Sequence, residues 1–153
     1  MEVKELGHVV LFVRDLERSV HFYRDVLGFP QVATMGGRGA LFSTGRTHHE
    51  LLLLDVGKEA APVGKGHRAG LYHIGLKIGE TDAELQEALD QLEKEGVTIV
   101  GMSDHTVTHS LYILDPDGNE VEVYIDVQPA VWKDNPAAVA VATKPLYALS
   151  KQL

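Results

Sequence analysis

Cysteine is absent from the 153-residue chain, which excludes disulfide frameworks, thiolate zinc sites, iron–sulfur clusters and cysteine nucleophiles together. Any bound metal must therefore take nitrogen and oxygen donors. Positive charge is also sparse. The 14 Lys and Arg against 22 Asp and Glu leave a net charge of −8, and the basic residues form no dense cluster or helical stripe. This argues against nucleic acid or an anionic membrane as the main partner. No apolar run reaches the roughly 18 residues that span a bilayer. The opening MEVKELGHVVLFVRDLERS has no basic-then-apolar signal pattern, so the expectation is a cytoplasmic protein.

The composition is otherwise that of a globular domain, and 153 residues suffice for a core without staples. Eight His in a chain without Cys direct attention to imidazole as the source of chemistry.

Residues 6–13, LGHVVLFV, alternate as a half-buried strand and stop at Arg14-Asp15. Asp15 then reads as an N-cap, with Leu16, Val20, Tyr23 and Leu27 at helical spacing before Gly28. Short apolar segments at 31–35, 39–43 and 48–55, broken by Gly36-Gly37 and Gly45, read as an antiparallel meander. The order then repeats. A strand at 71–78 precedes the capping-box match Thr81-Asp82-Ala83-Glu84, which opens a helix with Leu85, Leu89 and Leu92 inward and Gly96 at its end. Strands follow near 97–101, 108–114 and 119–126, the last two joined by the turn Asp115-Pro116-Asp117-Gly118. The chain thus reads as an α+β protein: a βαβββ module at 5–55, a linker at 56–69, a second βαβββ module at 70–126 and a tail at 127–153. The apolar residues of the tail suit packing on the body or on a partner chain, and a mobile terminus is an equal alternative.

Alternation sorts the candidate ligands, because successive strand residues face opposite ways. Val9, Leu11 and Val13 form one set, leaving His8 with Val10 and Phe12. Ile74, Leu76 and Ile78 leave His73 with Gly75 and Lys77, and Val121, Val123 and Ile125 leave Glu120, Glu122 and Tyr124. His8, His73 and Glu122 therefore all leave the expected helix-packed faces. If the half-sheets curve toward each other, these faces line a cleft. Two imidazoles and a carboxylate there make a facial triad with open positions, suited to Fe(II) and acceptable to Mn, Ni, Co or Zn.

With these motifs in place, the chain resembles the vicinal oxygen chelate superfamily of glyoxalase I, type I extradiol dioxygenases and antibiotic-resistance proteins. The resemblance covers about residues 5–126 and rests on LGHVVLFVRDLERSVHFYRDVLGF, GLYHIGLKI and SLYILDPDGNEVEVY. It implies one domain over 1–153, with paired βαβββ modules around one divalent metal held by His8, His73 and Glu122. The members often dimerise, so a homodimer is implied as well. The pair His48-His49, Tyr112 ten residues before Glu122, His105 in DHTVTHSLY and the tail TKPLYAL look most like short catechol 2,3-dioxygenase-like members. Ser103 departs from the residue type usual two positions before that His.

The resemblance implies Fe(II), O2 and a catechol-like aromatic substrate. His49 would be the base for a catechol proton, Tyr112 would donate to a ring oxygen, and His105 or His109 would stabilise charge on dioxygen. A glyoxalase I-like lyase or isomerase, with Glu50 as an extra ligand, is the alternative. Glu50 opens a Leu run without alternation, so His49 and Glu50 both stay open as the residue facing the metal. A third possibility is a protein that sequesters an antibiotic in the cleft.

Overall fold

A computed structural model describes residues 1–64 and 66–146 of the chain. Tyr147, Ala148 and Leu149, which complete the TKPLYAL motif, and Lys65 of the linker lie outside the described residues. The protein is α+β, with a four-stranded and a five-stranded mixed sheet in two compact units. No helix among the described residues is long and apolar enough to cross a membrane.

The first unit takes in Met1–Gly66 and Pro116–Gly118. Its sheet has the order β1-β4-β3-β2, from β1 (Val9–Val13), β2 (Gln31–Thr34), β3 (Gly39–Phe42) and β4 (Leu51–Asp55). β1 runs parallel to β4, and β2, β3 and β4 form the antiparallel meander. Val9 pairs with Leu51 and Leu11 with Leu53, so Leu11, Val13, Ala40, Phe42, Leu51 and Leu53 bury one face together. Val10 and Phe12 project from the other face, and Phe12 is 70% exposed.

The first helix differs from its expected form. α1 (Leu16–Val20), capped by the Asp15 carboxylate on the Arg18 N–H, widens after one turn into a π-helix over His21–Val26. The Leu27 N–H consequently reaches back five residues to the Phe22 carbonyl at 3.0 Å. The buried row is Ser19, Phe22, Tyr23 and Val26, rather than Leu16, Val20, Tyr23 and Leu27. The extra residue per turn lets Phe22 and Tyr23, neighbours in sequence, both enter the core, where their rings meet edge to face.

The second unit takes in His67–Asp115 and Asn119 onward. Its strands are β5 (His73–Gly79), β6 (Ile99–Asp104), β7 (Thr108–Leu114), β8 (Glu120–Asp126) and β9 (Lys144–Pro145), in the order β5-β8-β7-β6-β9. β5 is parallel to β8, and the other pairings are antiparallel. α2 (Asp82–Lys94) lies over β5, β7 and β8 and buries Leu85, Leu89 and Leu92. It opens with the expected capping box: Glu84 N–H donates to the Thr81 hydroxyl oxygen, while the Glu84 carboxylate accepts from the Thr81 N–H. Leu111, Ile113, Val121, Val123 and Ile125 supply the sheet side of this core.

Ile78 does not pack as its place in the alternation suggests and is 37% exposed. The register of β5 against β8 slips between Lys77 and Gly79, which takes Ile78 out of the alternation. A Cβ at Gly79 would stand 2.5 Å from the Glu84 carboxylate that closes the capping box, so a larger residue there would displace that side chain. The tail forms α3 (Pro129–Asp134), a 3-10 turn over Pro136–Val139, and β9, which pairs with the outer edge of β6 and buries Leu146.

Leu111→Ala, at a fully buried position, should cost about 2–5 kcal/mol in urea unfolding. Phe12→Ala should change stability by about 0.5 kcal/mol or less. Comparable losses at both positions would contradict this assignment of the core.

Candidate metal and proton-transfer site

In the second unit, strand register assembles a connected set of polar side chains on the face away from α2. Tyr112 lies opposite Glu122 across the β7–β8 ladder, and His73 lies opposite Glu120 across β5–β8. The Tyr112 hydroxyl donates to Glu122 Oε1 at 3.2 Å, and His73 Nε2 approaches Glu122 Oε2 to 3.3 Å. His105 Nε2 is 2.7 Å from the Tyr112 oxygen. The phenol has one proton, which goes to Glu122, so His105 must carry its proton on Nε2 and donate it to Tyr112. The result is a chain His105–Tyr112–Glu122–His73.

Local structure explains each position. His105 sits in the β6–β7 turn, where its N–H donates to the Thr108 carbonyl at 2.9 Å and the Asp104 carboxylate accepts from the Thr106 N–H at 2.6 Å. Thr106 is held at φ 72°, a left-handed conformation costly for a β-branched residue. Gly75 leaves room beside the carboxylate, since a Cβ there would lie 3.3 Å from Glu122 Oε2 and from the Tyr124 ring. Lys77, on the same face, is engaged by Asp126 at 2.7 Å and Glu80 at 2.9 Å. Burial, reinforced by the Glu122 charge, raises the Tyr112 pKa well above the ordinary phenol value.

His109 does not join this set. It faces the opposite way from Tyr112, and its Nδ1 lies 2.6 Å from Asp82 at the start of α2. The odd spacing between the two residues dictates opposite faces.

In the first unit, His8 immediately precedes β1, and its ring centroid is 4.4 Å from that of His49 and 5.8 Å from that of His48. The His48 and His49 Nδ1 atoms are 2.6 Å apart. Burial, then the neighbouring His8 and His48, lower the His49 pKa, so its ring is neutral near pH 7 and able to accept a proton. The strand expected at 48–55 begins only at Leu51, which leaves both His in the preceding loop, where alternation does not govern them. Glu50 turns into that loop. Its carboxylate accepts from the Thr44 N–H at 2.6 Å, the Thr44 hydroxyl at 2.8 Å and Arg46 Nε at 3.0 Å. Burial opposes its ionisation, and these donors outweigh it, giving a lowered pKa. Arg46 also donates to the Leu6 and Gly7 carbonyls, tying the loop to the segment that carries His8.

Among the described residues no group of three or more His, Asp and Glu is gathered as a metal cluster. His73 and Glu122 form a converging two-donor set, and His8 belongs to the other unit. Glu120 and Tyr72 border the set without having been assigned a role from sequence. Alternation placed Glu120 beside Glu122, whereas Tyr72 lies just outside the strand and carried no signal.

The family model for the Glyoxalase/Bleomycin resistance protein/Dioxygenase superfamily matches residues 5–123. The chain belongs to that superfamily. Catechol-2,3-dioxygenase of Bacillus subtilis is 34% identical over 132 residues, 86% of this chain and 45% of that protein. Biphenyl-2,3-diol 1,2-dioxygenase 2 of Rhodococcus globerulus is 33% identical over 123 residues, 80% of this chain and 63% of that one. The chain thus spans about half to two-thirds of these two relatives. Glutathione transferase FosA of Serratia marcescens is 29% identical over 123 residues, covering 80% of this chain and 82% of its own. The crystal structure of a glyoxalase/dioxygenase from Nostoc punctiforme superimposes with a TM-score of 0.69 at 21% identity, covering 80% of this chain and 91% of that one, and so shares the fold. The superfamily relatives are mostly enzymes of several chemistries.

A raised Tyr112 pKa stabilises the folded state below the unfolded phenol value of about 10 and is lost as pH climbs toward the folded value. Subtracting the Tyr112→Phe phenolate titration from that of the parent should leave a component ionising well above 10. Alkaline loss of stability should be shallower in the variant. A difference component centred near 10 would contradict the assigned environment.

Proposed function

We propose that the protein is a metal-dependent extradiol-type dioxygenase that opens a catechol-like aromatic ring with O2, using Fe(II) held by His8, His73 and Glu122. The observation that carries this reading is the chain His105–Tyr112–Glu122 ending on His73, which couples a proton-donor line to the would-be metal donors. The donor set fits a divalent ion: it contains only imidazole and carboxylate, His73 and Glu122 converge, and the Lys on their face is engaged elsewhere. Bound Fe(II) would supply redox chemistry and open coordination positions.

The other steps belong to side chains. Neutral His49 accepts a proton from a catechol hydroxyl as general base. Tyr112 keeps its proton because of burial and Glu122, so it is a phenol rather than a phenolate, and with substrate bound it would turn that proton from Glu122 to a ring oxygen. His105, donating through Nε2, holds the Tyr112 oxygen in place. The similarity to catechol- and biphenyl-diol-cleaving enzymes supports this chemistry. The glyoxalase-type alternative requires the Glu50 carboxylate, which is committed to Thr44 and Arg46.

Anaerobic loading with Fe(II), followed by a panel of substituted catechols and air, should give O2 uptake and a yellow ring-opened product. His49→Ala and Tyr112→Phe should retain iron and lower kcat by about 10²–10⁴-fold. Iron should be lost in His8→Ala, His73→Ala and Glu122→Ala and kept in Glu50→Gln. Absence of O2 uptake across the panel, or iron loss on changing Glu50, would count against the reading.

A further inference from the structure

Three buried side-chain polar atoms among the described residues of the second unit have no hydrogen-bond partner, Ser110 Oγ, His73 Nδ1 and Glu120 Oε1, and the last two face each other. They lie 3.7 Å apart. That gap is too long for a hydrogen bond and too short for a water to sit between them. Burying either atom without a partner is unfavourable, which favours bringing the two together. The opposite edge of the same imidazole, Nε2, is the one that approaches Glu122. The Tyr72 ring packs 4.7 Å from the His73 ring, and the nearby Glu120 carboxylate raises the Tyr72 pKa.

Taking the metal reading above as its basis, we propose that Glu120 is the positioning residue for His73. Its carboxylate accepts the Nδ1 proton, fixes the tautomer with Nε2 unprotonated, and orients that nitrogen toward the metal side next to Glu122. The Tyr72 ring, packed against His73, flanks the same contact. A ring pinned this way is a better ligand because its lone pair is already on the correct nitrogen and its orientation is set. Glu120 is thereby separated from Glu122 in function although both leave the same face of β8. Glu122 turns its carboxylate to His73 Nε2 and Tyr112, and Glu120 turns its own toward His73 Nδ1.

The full-length chain tests this with Zn2+ as the probe, its affinity read by chelator competition. Glu120→Leu should weaken Zn2+ binding roughly 10–100-fold, measured at a temperature where circular dichroism shows the variant folded, since the substitution also leaves His73 Nδ1 without its acceptor. Glu120→Gln retains an acceptor oxygen and should recover most of the affinity. Nitrogen-15 NMR of Zn2+-loaded protein should show the His73 proton on Nδ1 in the parent and in Glu120→Gln, a reading that does not depend on the Leu variant folding. Unchanged Zn2+ affinity in Glu120→Leu, or a His73 proton on Nε2 in the loaded parent, would overturn the proposal. An equal loss in Glu120→Gln and Glu120→Leu would also overturn it, by making Glu120 a direct ligand. The His73→Ala control separates the two levels: undiminished Zn2+ binding there would remove the metal reading itself, and this inference with it.

Discussion

The period of two along β7 and β8 is the constraint on which the rest of the second unit depends. It sends Leu111, Ile113, Val121, Val123 and Ile125 into the core with α2, and Tyr112, Glu120 and Glu122 to the other side. The same residues that stabilise the sheet thereby decide which side chains are left for chemistry. A one-residue slip would exchange the two sets, burying two carboxylates and exposing five aliphatic side chains, so hydrophobic burial enforces the register of the candidate site. His73 follows from the same rule through the parallel pairing of β5 with β8.

The two units contribute different electrostatics. Around Tyr112 and Glu122, burial and negative charge keep protons on phenols, as the raised pKa values of Tyr112, Tyr124 and Tyr72 show. Around His49, burial and two neighbouring imidazoles keep a proton off the ring. One environment therefore favours hydrogen-bond donors and the other a proton acceptor. Glu50 stays outside that division because three donors from Thr44 and Arg46 hold it as part of the loop.

Much of this was legible in the sequence, for identifiable reasons. The capping box at Thr81 and Glu84, the turn at Asp115–Gly118 and the alternation in β8 are local signals, and the structure contains all three. Parity likewise brought His73 and Glu122 to one face, whereas Tyr112 was picked out by the family resemblance and shares that face by its register with Glu122. What sequence could not convey came from departures from ideal periods. The π-helix at His21–Val26 changed the buried row of the first helix, and the register slip before Gly79 released Ile78. The late start of β4 freed His49 and Glu50 from strand alternation, so Glu50 follows hydrogen bonds from Thr44 and Arg46, and His49 its contacts with His8 and His48, none of which a periodic pattern announces. His109 shows the opposite case, where parity alone was enough to separate it from Tyr112.

The central claim is that His73 and Glu122 are donors to one divalent metal. An anaerobic crystal structure of the metal-loaded protein, with the ion located by its anomalous scattering, tests it most directly. The account requires the ion within about 2.0–2.2 Å of His73 Nε2 and a Glu122 carboxylate oxygen, with Glu50 still bonded to Thr44 and Arg46. An ion bound by Glu50 and not by Glu122, or no ion at His73, would contradict it.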